Sequence, residues 1–399
     1  MIDGTPFTVA RLPRIVFGEG RISELPAEAT AFGPNVLLVT GASAFRESPA
    51  YRPVMDGFAD AGATVETVRV DDEPTPDLVD DIVGRYHNAG IDVVVAVGGG
   101  SPLDAGKAVA GLLPTGRSVM DHLEGVGQGI PYEGPSLPFV ACPTTAGTGS
   151  EATRNAVLGR RGAEGFKKSF RHECLVPRVA VIDPALLETV PRRVMAADGM
   201  DAFTQCLESL TSTGSTPFTA PLAWAGLEAI RDGFFTAIED GQNEAARVGR
   251  ARLHYAALAS GISLAQTGLG AVHGLASPLG AFYPVPHGVV CGTLVAEAVD
   301  VNLSALEARA PESPALDVYA RAGALLTGRP DTDHATARRA LVDTLRDWAE
   351  RLDLPRLSDY GMEESAIPQI VANSRGSSMK TNPVTLTDDE LAEIVRRRL

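Results

Sequence analysis

Two stretches in the second half of the chain carry groups that can hold a metal ion. In GMDAFTQCLES, Asp201 and Gln205 lie four residues apart and share one helix face. In GLGAVHGLASPLGAFYPVPHG, His273 and His287 are fourteen apart. Pro284 and Pro286 stand between them, so His287 must come from a new turn or helix start. One carboxylate, two imidazoles and an amide oxygen form a donor set for a borderline divalent ion, Fe²⁺ or Zn²⁺. Either histidine alone could equally satisfy backbone groups or cap a helix. His87, His122, His172, His254 and His334 have no comparable setting and receive no site role.

A second kind of chemistry is written in the first half. Near residue 98 the chain reads VVVAVGGGSPLDAGKAV, and near 142 it reads CPTTAGTGSEAT. In each, an apolar, β-branched segment runs into glycine, serine or threonine and then into a helix-like stretch. Gly98, Gly99 and Gly100 let the backbone approach a ligand closely. Ser101 and the amides after it would open a helix whose unpaired N–H groups and dipole favour phosphate. The pattern is neither GxGxxG nor GxxxxGK[ST]. One glycine run fits a structural turn as well as a phosphate site. Two such loops, with Asp104 and Lys107 one helical turn apart behind the first, point to a nucleotide.

Elements that can position these groups alternate along the chain. NVLLVTG (35–41), ATVETVRV (63–70), DVVVAVGGG, PFVACPTT and RVAVIDP read as strands, with a helix of period 3.6 at PDLVDDIVGRYHNAG. Apolar strands separated by helices predict a parallel sheet covered on both faces, with ligands beyond the strands' carboxyl ends. From about 191 long amphipathic stretches dominate, and Thr387-Asp388-Asp389-Glu390 is a capping box opening a last helix. The expected division is an α/β nucleotide-binding domain over 1–185 and an all-helical metal- and substrate-binding domain over 186–399. The site is expected in the cleft between them.

Composition narrows the partners. At 399 residues the chain can build two cores, and 44% hydrophobic with 21% charged residues is ordinary for a globular protein. A net charge of −15 argues against non-specific nucleic-acid binding. The start, MIDGTPFTVARLP, does not read as a signal peptide, and no uninterrupted apolar run is long enough to span a membrane. Four scattered cysteines without a CxxC fit a reducing cytoplasm.

The chain resembles the iron-containing, or group III, alcohol dehydrogenases, related in fold to dehydroquinate synthase and glycerol dehydrogenase. The resemblance runs from RIVFGEG (14–20) through GGGSPLDAGKA, PTTAGTGSEAT, VAVIDPALL, GMDAFTQ and AVHGLASPLGAFYPVPHG to SSMKTNPVTLTDDEL. It implies pyrophosphate binding at Gly98, Gly99, Gly100 and Ser101, with Asp104 close behind. It places Thr144, Thr145 and Thr148 toward the cofactor, Lys167 near its ribose, and a metal on Asp201, His273 and His287, the two histidines at the catalytic centre. The implied activity is metal-dependent hydride transfer between nicotinamide C4 and a small alcohol, aldehyde or ketone. A homodimer or larger homo-oligomer is expected. The alternatives are a metal-independent reductase resembling maleylacetate reductase and a lyase like dehydroquinate synthase.

Two positions depart from the family pattern. Gln205 stands where typical members have a ligand histidine, and Ser277 where some have a further histidine. Gln205 would ligate through its carbonyl oxygen as a weaker donor, and Ser277 removes a histidine proton relay. After VLLVTG, an acid would bond the 2′-hydroxyl of NAD; Gly41 stands there instead, which admits the 2′-phosphate of NADP and favours NADPH over NADH.

Overall fold

The structure, a computed structural model, describes residues 6–399 apart from positions 240 and 242. Residues 1–5, where the reading of the chain start begins, lie outside the described residues. The first half contains strands β1 (Arg14–Phe17), β2 (Asn35–Gly41), β3 (Thr64–Val70), β4 (Val93–Gly98) and β5 (Phe139–Pro143). It continues with β6 (Asn155–Arg160), β7 (Phe166–Arg171) and β8 (Val179–Ile182). Its helices are α1 (Leu25–Thr30), α2 (Ala44–Glu47), α3 (Tyr51–Asp60), α4 (Pro76–Tyr86) and α5 (Gly100–Leu112).

Six strands form one parallel sheet in the order β1-β8-β5-β4-β2-β3. The reason is legible in β4 and β5: every residue of VVVAVG and FVACP is buried, so both faces must be covered by helices. β2 sends the chain outward to β3, and β4 returns on the other side of β2. The order therefore reverses between β2 and β4, and the crevice beyond their carboxyl ends is where such sheets take ligands. Gly41 ends β2 and Gly98 ends β4, side by side in that crevice: a Cβ on Gly98 would lie 3.4 Å from the Gly41 nitrogen. The sequence reading did not find the antiparallel hairpin β6–β7, which stands outside this sheet.

From Arg192 the described chain is helical. Its long helices are α6 (Arg192–Thr211), α7 (Thr219–Ile238), α8 (Glu244–Thr267), α9 (Ala271–Phe282) and α10 (His287–Arg309). They are followed by α11 (Pro314–Thr327), α12 (His334–Arg351), α13 (Ile367–Asn373) and α14 (Asp388–Arg396). The capping box is present: Thr387 Oγ1 accepts from the Glu390 amide, and Glu390 Oε2 from the Thr387 amide. α10 is long and apolar enough to cross a membrane by composition, but it is buried among the other helices as a core element.

The two halves meet backbone to backbone. Gly149, at φ +61°, leads out of the second glycine-rich loop and lies against Gly261 of α8. A Cβ on Gly261 would stand 2.3 Å from the Gly149 carbonyl oxygen, and one on Gly149 would stand 2.4 Å from the Gly261 Cα. Neither neighbour is a flexible side-chain end that could give way. Gly261→Ala is therefore expected to destabilise the protein by about 2 kcal/mol, the scale of an overpacked core position. It should also weaken nucleotide binding by displacing the loop. Urea denaturation and a cofactor titration check this; wild-type values in both would show that the interface has slack.

Candidate active site

The first loop is a helix start built for close approach. β4 ends at Gly98 and α5 begins at Gly100, with Gly99 as N-cap and no side chain capping it. The three glycines all lie outside the positive-φ region, so backbone conformation does not require them. Crowding does. A Cβ on Gly98 would fall 2.6 Å from Pro102 Cγ, one on Gly99 3.3 Å from the Thr145 side chain, and one on Gly100 3.0 Å from Thr148 Cγ2. The two glycine-rich segments predicted separately thus face one another. The Thr144 amide donates to the Gly98 carbonyl at 2.9 Å, continuing the β4–β5 ladder into the loops. Thr145, Thr148 and Ser101 are half-buried, whereas Thr144 is buried.

Asp104 and Lys107 serve this loop from behind. The Lys107 side chain is fully buried, and its Nζ donates to Ser150 O, Ser150 Oγ, Thr153 Oγ1 and Asn155 O at 2.6–3.1 Å. Asp104 accepts from Ser150 Oγ at 2.6 Å and from the Val157 amide at 3.1 Å. This pair clamps the exit of the second loop to α5. Lys107 stands behind the first loop, as its spacing from Asp104 suggested, and spends its donors inside the protein.

The ligand-bearing helices converge opposite the loops. α6 is buried along nearly its whole length and carries Asp201 into the interior. His273 lies in the first turn of α9, and His287 opens α10 after the Pro284–Pro286 break. His273 Nε2 stands 3.2 Å from Asp201 Oδ1, and His287 Nε2 3.8 Å from the same oxygen. Cys291, one turn beyond His287, joins them: its Sγ is 3.6 Å from His273 Nε2 and 3.8 Å from His287 Nε2. One donor atom from each of these four residues lies within 4.8 Å of all the others. Cys291 was missed in the sequence, where its i, i+4 relation to His287 was the available signal.

Glu208 was missed as well. Two turns after Asp201 on α6, it accepts from the Gly270 and Val272 amides at the start of α9 and bonds His273 Nδ1 at 2.7 Å. One carboxylate thus anchors the N-terminus of α9 and orients His273 with Nε2 toward Asp201. This is the supporting arrangement typical of metal-binding histidines.

Gln205 and Ser277 each make a hydrogen bond within the protein. The Gln205 carbonyl oxygen accepts from Ser260 Oγ at 2.7 Å, and among the described residues no hydrogen bond joins Gln205 to Asp201, His273 or His287. Ser277 donates to the Lys167 carbonyl at 3.0 Å, tying α9 to β7. The Lys167 amine reaches Glu73 at 2.7 Å. Gly280 packs beside that side chain, which places Lys167 on the wall between the hairpin and α9.

Electrostatics separate the two imidazoles. Burial opposes ionisation of Asp201, but the His287 and His273 rings hold its carboxyl down to about 2. Burial pushes His287 down to about 4, with Lys167 adding to the effect, so it is neutral with a free lone pair near pH 7. His273, despite burial, is held well above the ordinary imidazole range by Cys291, Asp201 and Glu208.

Asp198, one turn before Asp201, meets the second loop at Gly147 and keeps one buried carboxylate oxygen without a partner. Burial, and then the Asp201 charge, push it up to about 7. A carboxyl raised in the folded state costs stability as pH rises from the unfolded value, 3.8, through about 7. Asp198→Asn is therefore expected to raise the melting temperature of the metal-free protein more at pH 8 than at pH 5.5. An equal effect at both pH values would show that Asp198 is not raised.

Comparison with known proteins agrees with this geometry. Residues 13–184 match the family model "Iron-containing alcohol dehydrogenase", and 195–399 match "Fe-containing alcohol dehydrogenase family, C-terminal". Alcohol dehydrogenase 4 of Saccharomyces cerevisiae is 30% identical over 333 residues, covering 82% of this chain and 81% of its own length. An NADPH-dependent butanol dehydrogenase of Clostridium saccharobutylicum is 27% identical over 395 residues, covering 96% of each chain. The crystal structure of an archaeal halo-thermophilic alcohol dehydrogenase from a Red Sea brine pool superposes with a TM-score of 0.89 at 28% identity, covering 100% of both chains. The parallel-sheet first half and the helical second half are thus those of a family, and this chain belongs to the iron-containing alcohol dehydrogenases.

Proposed function

We propose that the protein is a metal-dependent, NAD(P)-linked alcohol dehydrogenase that also reduces small aldehydes or ketones. The observation that carries this is the placement of Asp201, His273 and His287 around one point, with Asp198 of the same helix touching the nucleotide loop at Gly147. The donor set fits a divalent ion. Asp201 is 1% exposed and deprotonated, and imidazoles rather than a lysine or arginine face it. Fe²⁺ and Zn²⁺ both suit one carboxylate and two imidazoles. The bound ion would supply Lewis acidity toward the substrate oxygen, and the nicotinamide would supply or accept the hydride.

The chain's own residues do the rest. His287, neutral and partly exposed, and His273, fixed by Glu208, hold their Nε2 atoms toward Asp201 Oδ1. The Gly98–Ser101 helix start, facing Thr145 and Thr148, offers amides to a pyrophosphate. Ser277 is tied to the backbone of Lys167, so a histidine relay at that position has no counterpart here. Protons would leave through water or the cofactor ribose hydroxyls.

Gly41 supports the proposed preference for NADPH. It sits at the β2 end in the crevice, and a Cβ there would meet only Pro102 Cγ, at an ordinary 3.6 Å. A Cβ at this position therefore fits without distortion.

The edge strand β1 exposes Ile15 and Phe17, with Phe7 and Val9 exposed just before it, which supports a homodimer or larger homo-oligomer. Four free cysteines support a reducing cytoplasm as its place.

The test is oxidation of NADPH or NADH with a panel of small aldehydes and ketones, before and after chelation. Activity should fall on metal removal, return with Fe²⁺ or Zn²⁺, and be lost in His287→Ala with the fold intact. Full turnover by the metal-free His287→Ala variant would move the protein to the metal-independent reductases. Gly41→Asp should shift the ratio of kcat/KM values toward NADH by about tenfold, the effect of roughly 1.4 kcal/mol. An unchanged ratio would show that Gly41 does not meet the adenosine ribose.

A further inference from the structure

The family's four-ligand pattern is short by one in this chain, since the expected histidine is Gln205 and its carbonyl oxygen is engaged by Ser260. The shortfall coincides with a sulfur at the same point. Cys291 is fully buried on α10, one turn from His287 and on the same face. We propose that Cys291 is the fourth protein ligand, its thiolate replacing the missing imidazole to give an Asp201–His273–His287–Cys291 centre that prefers Zn²⁺ to Fe²⁺. This deepens the metal-dependent reading above and rests on it.

The spacing carries the argument. Around a tetrahedral zinc with bonds of about 2.0 Å to nitrogen or oxygen and about 2.3 Å to sulfur, nitrogen and sulfur donors stand about 3.5 Å apart and nitrogen and oxygen donors about 3.3 Å apart. The observed separations are 3.6 and 3.8 Å from Cys291 Sγ to the two Nε2 atoms. From Asp201 Oδ1 to the same two nitrogens they are 3.2 and 3.8 Å. Each of these four separations is within about half an ångström of the tetrahedral value, and the other two donor pairs lie within 4.8 Å.

The chemistry of the neighbours agrees. His273 Nδ1 is taken by Glu208, so Nε2 is the nitrogen turned toward Asp201 and Cys291, and it would give up its proton on ligation. Cys206, by contrast, is equally buried but places its sulfur near only the Ala256 carbonyl, at 4.0 Å. A thiolate is a softer donor than imidazole or carboxylate and shifts selectivity toward zinc. On ligation the thiol gives its proton to solvent and the sulfur lone pair forms the metal–sulfur bond, with no change of oxidation state. Four protein ligands leave the substrate oxygen a fifth position, an expansion that zinc tolerates in catalytic sites.

The experiment loads the chelated full-length protein with Co²⁺ as a spectroscopic stand-in and records the near-ultraviolet spectrum. A thiolate-to-cobalt charge-transfer band is expected in the wild type and should be absent in Cys291→Ser and Cys291→Ala. Zn²⁺ affinity by chelator competition should fall about 10- to 100-fold in both variants, the range seen when a supporting ligand group is lost. Circular dichroism and cofactor titration verify that both variants are folded. Stoichiometric Co²⁺ binding without the band, or a band that survives in both variants, would overturn the Cys291 assignment and leave the metal-dependent reading intact. Failure of the wild type to bind Co²⁺ or Zn²⁺ would overturn both.

Discussion

Two carboxylates buried two turns apart on one helix set the shape of the site. Placing Asp201 and Glu208 on the inner face of α6 takes both out of water, which is costly unless each is paired. His273 answers both at once, through Nδ1 to Glu208 and Nε2 to Asp201. Glu208 is further satisfied by two backbone amides of α9, so the position of the helix and the direction of the imidazole are fixed by the same oxygen atoms. Asp201 has no such amides. Its remaining lone pairs face His287 and the Cys291 sulfur, an environment that suits a cation better than a bare acid.

The nucleotide half is coupled to this centre by contacts that leave no room for side chains. Gly149 against Gly261, and Gly147 against Asp198, press the second loop onto α8 and α6. Lys107 and Asp104 hold the same loop from the sheet side. Ser277 ties α9 to β7 through the Lys167 carbonyl. A cofactor lying on the Gly98–Ser101 turn would therefore meet a surface packed directly against α6, α8 and α9. Hydride transfer needs that close packing, because the reacting atoms must be held in contact and in line.

Much of this was legible in the sequence, for identifiable reasons. β2, β4, β5 and β8 are short apolar runs buried on both faces, and such runs stand out between helices. The hairpin did not stand out because NAVLGR and FKKSFR are half-exposed, carry charges and belong to no large sheet. The glycines of the first loop stood out in the sequence, and the structure needs them for packing against Pro102, Thr145 and Thr148 rather than for an unusual backbone turn. Asp201, His273 and His287 were found as donor types in suggestive segments, whereas Glu208 and Cys291 were not. A glutamate and a cysteine on apolar helices are common, and only the three-dimensional convergence of α6, α9 and α10 distinguishes these two. Lys107 was legible as a residue behind the first loop, but its bonds to Ser150, Thr153 and Asn155 needed the three-dimensional structure.

The proposed divalent ion would sit where α6, α9 and α10 converge, beside the nucleotide loops. Anomalous diffraction from crystals of the metal-loaded protein, collected on both sides of the metal's absorption edge, tests this placement most directly. The account predicts a single strong peak within about 2.0–2.3 Å of an Asp201 oxygen and of Nε2 of both His273 and His287. A fully loaded crystal with its peak elsewhere, or with none near Asp201, would contradict it.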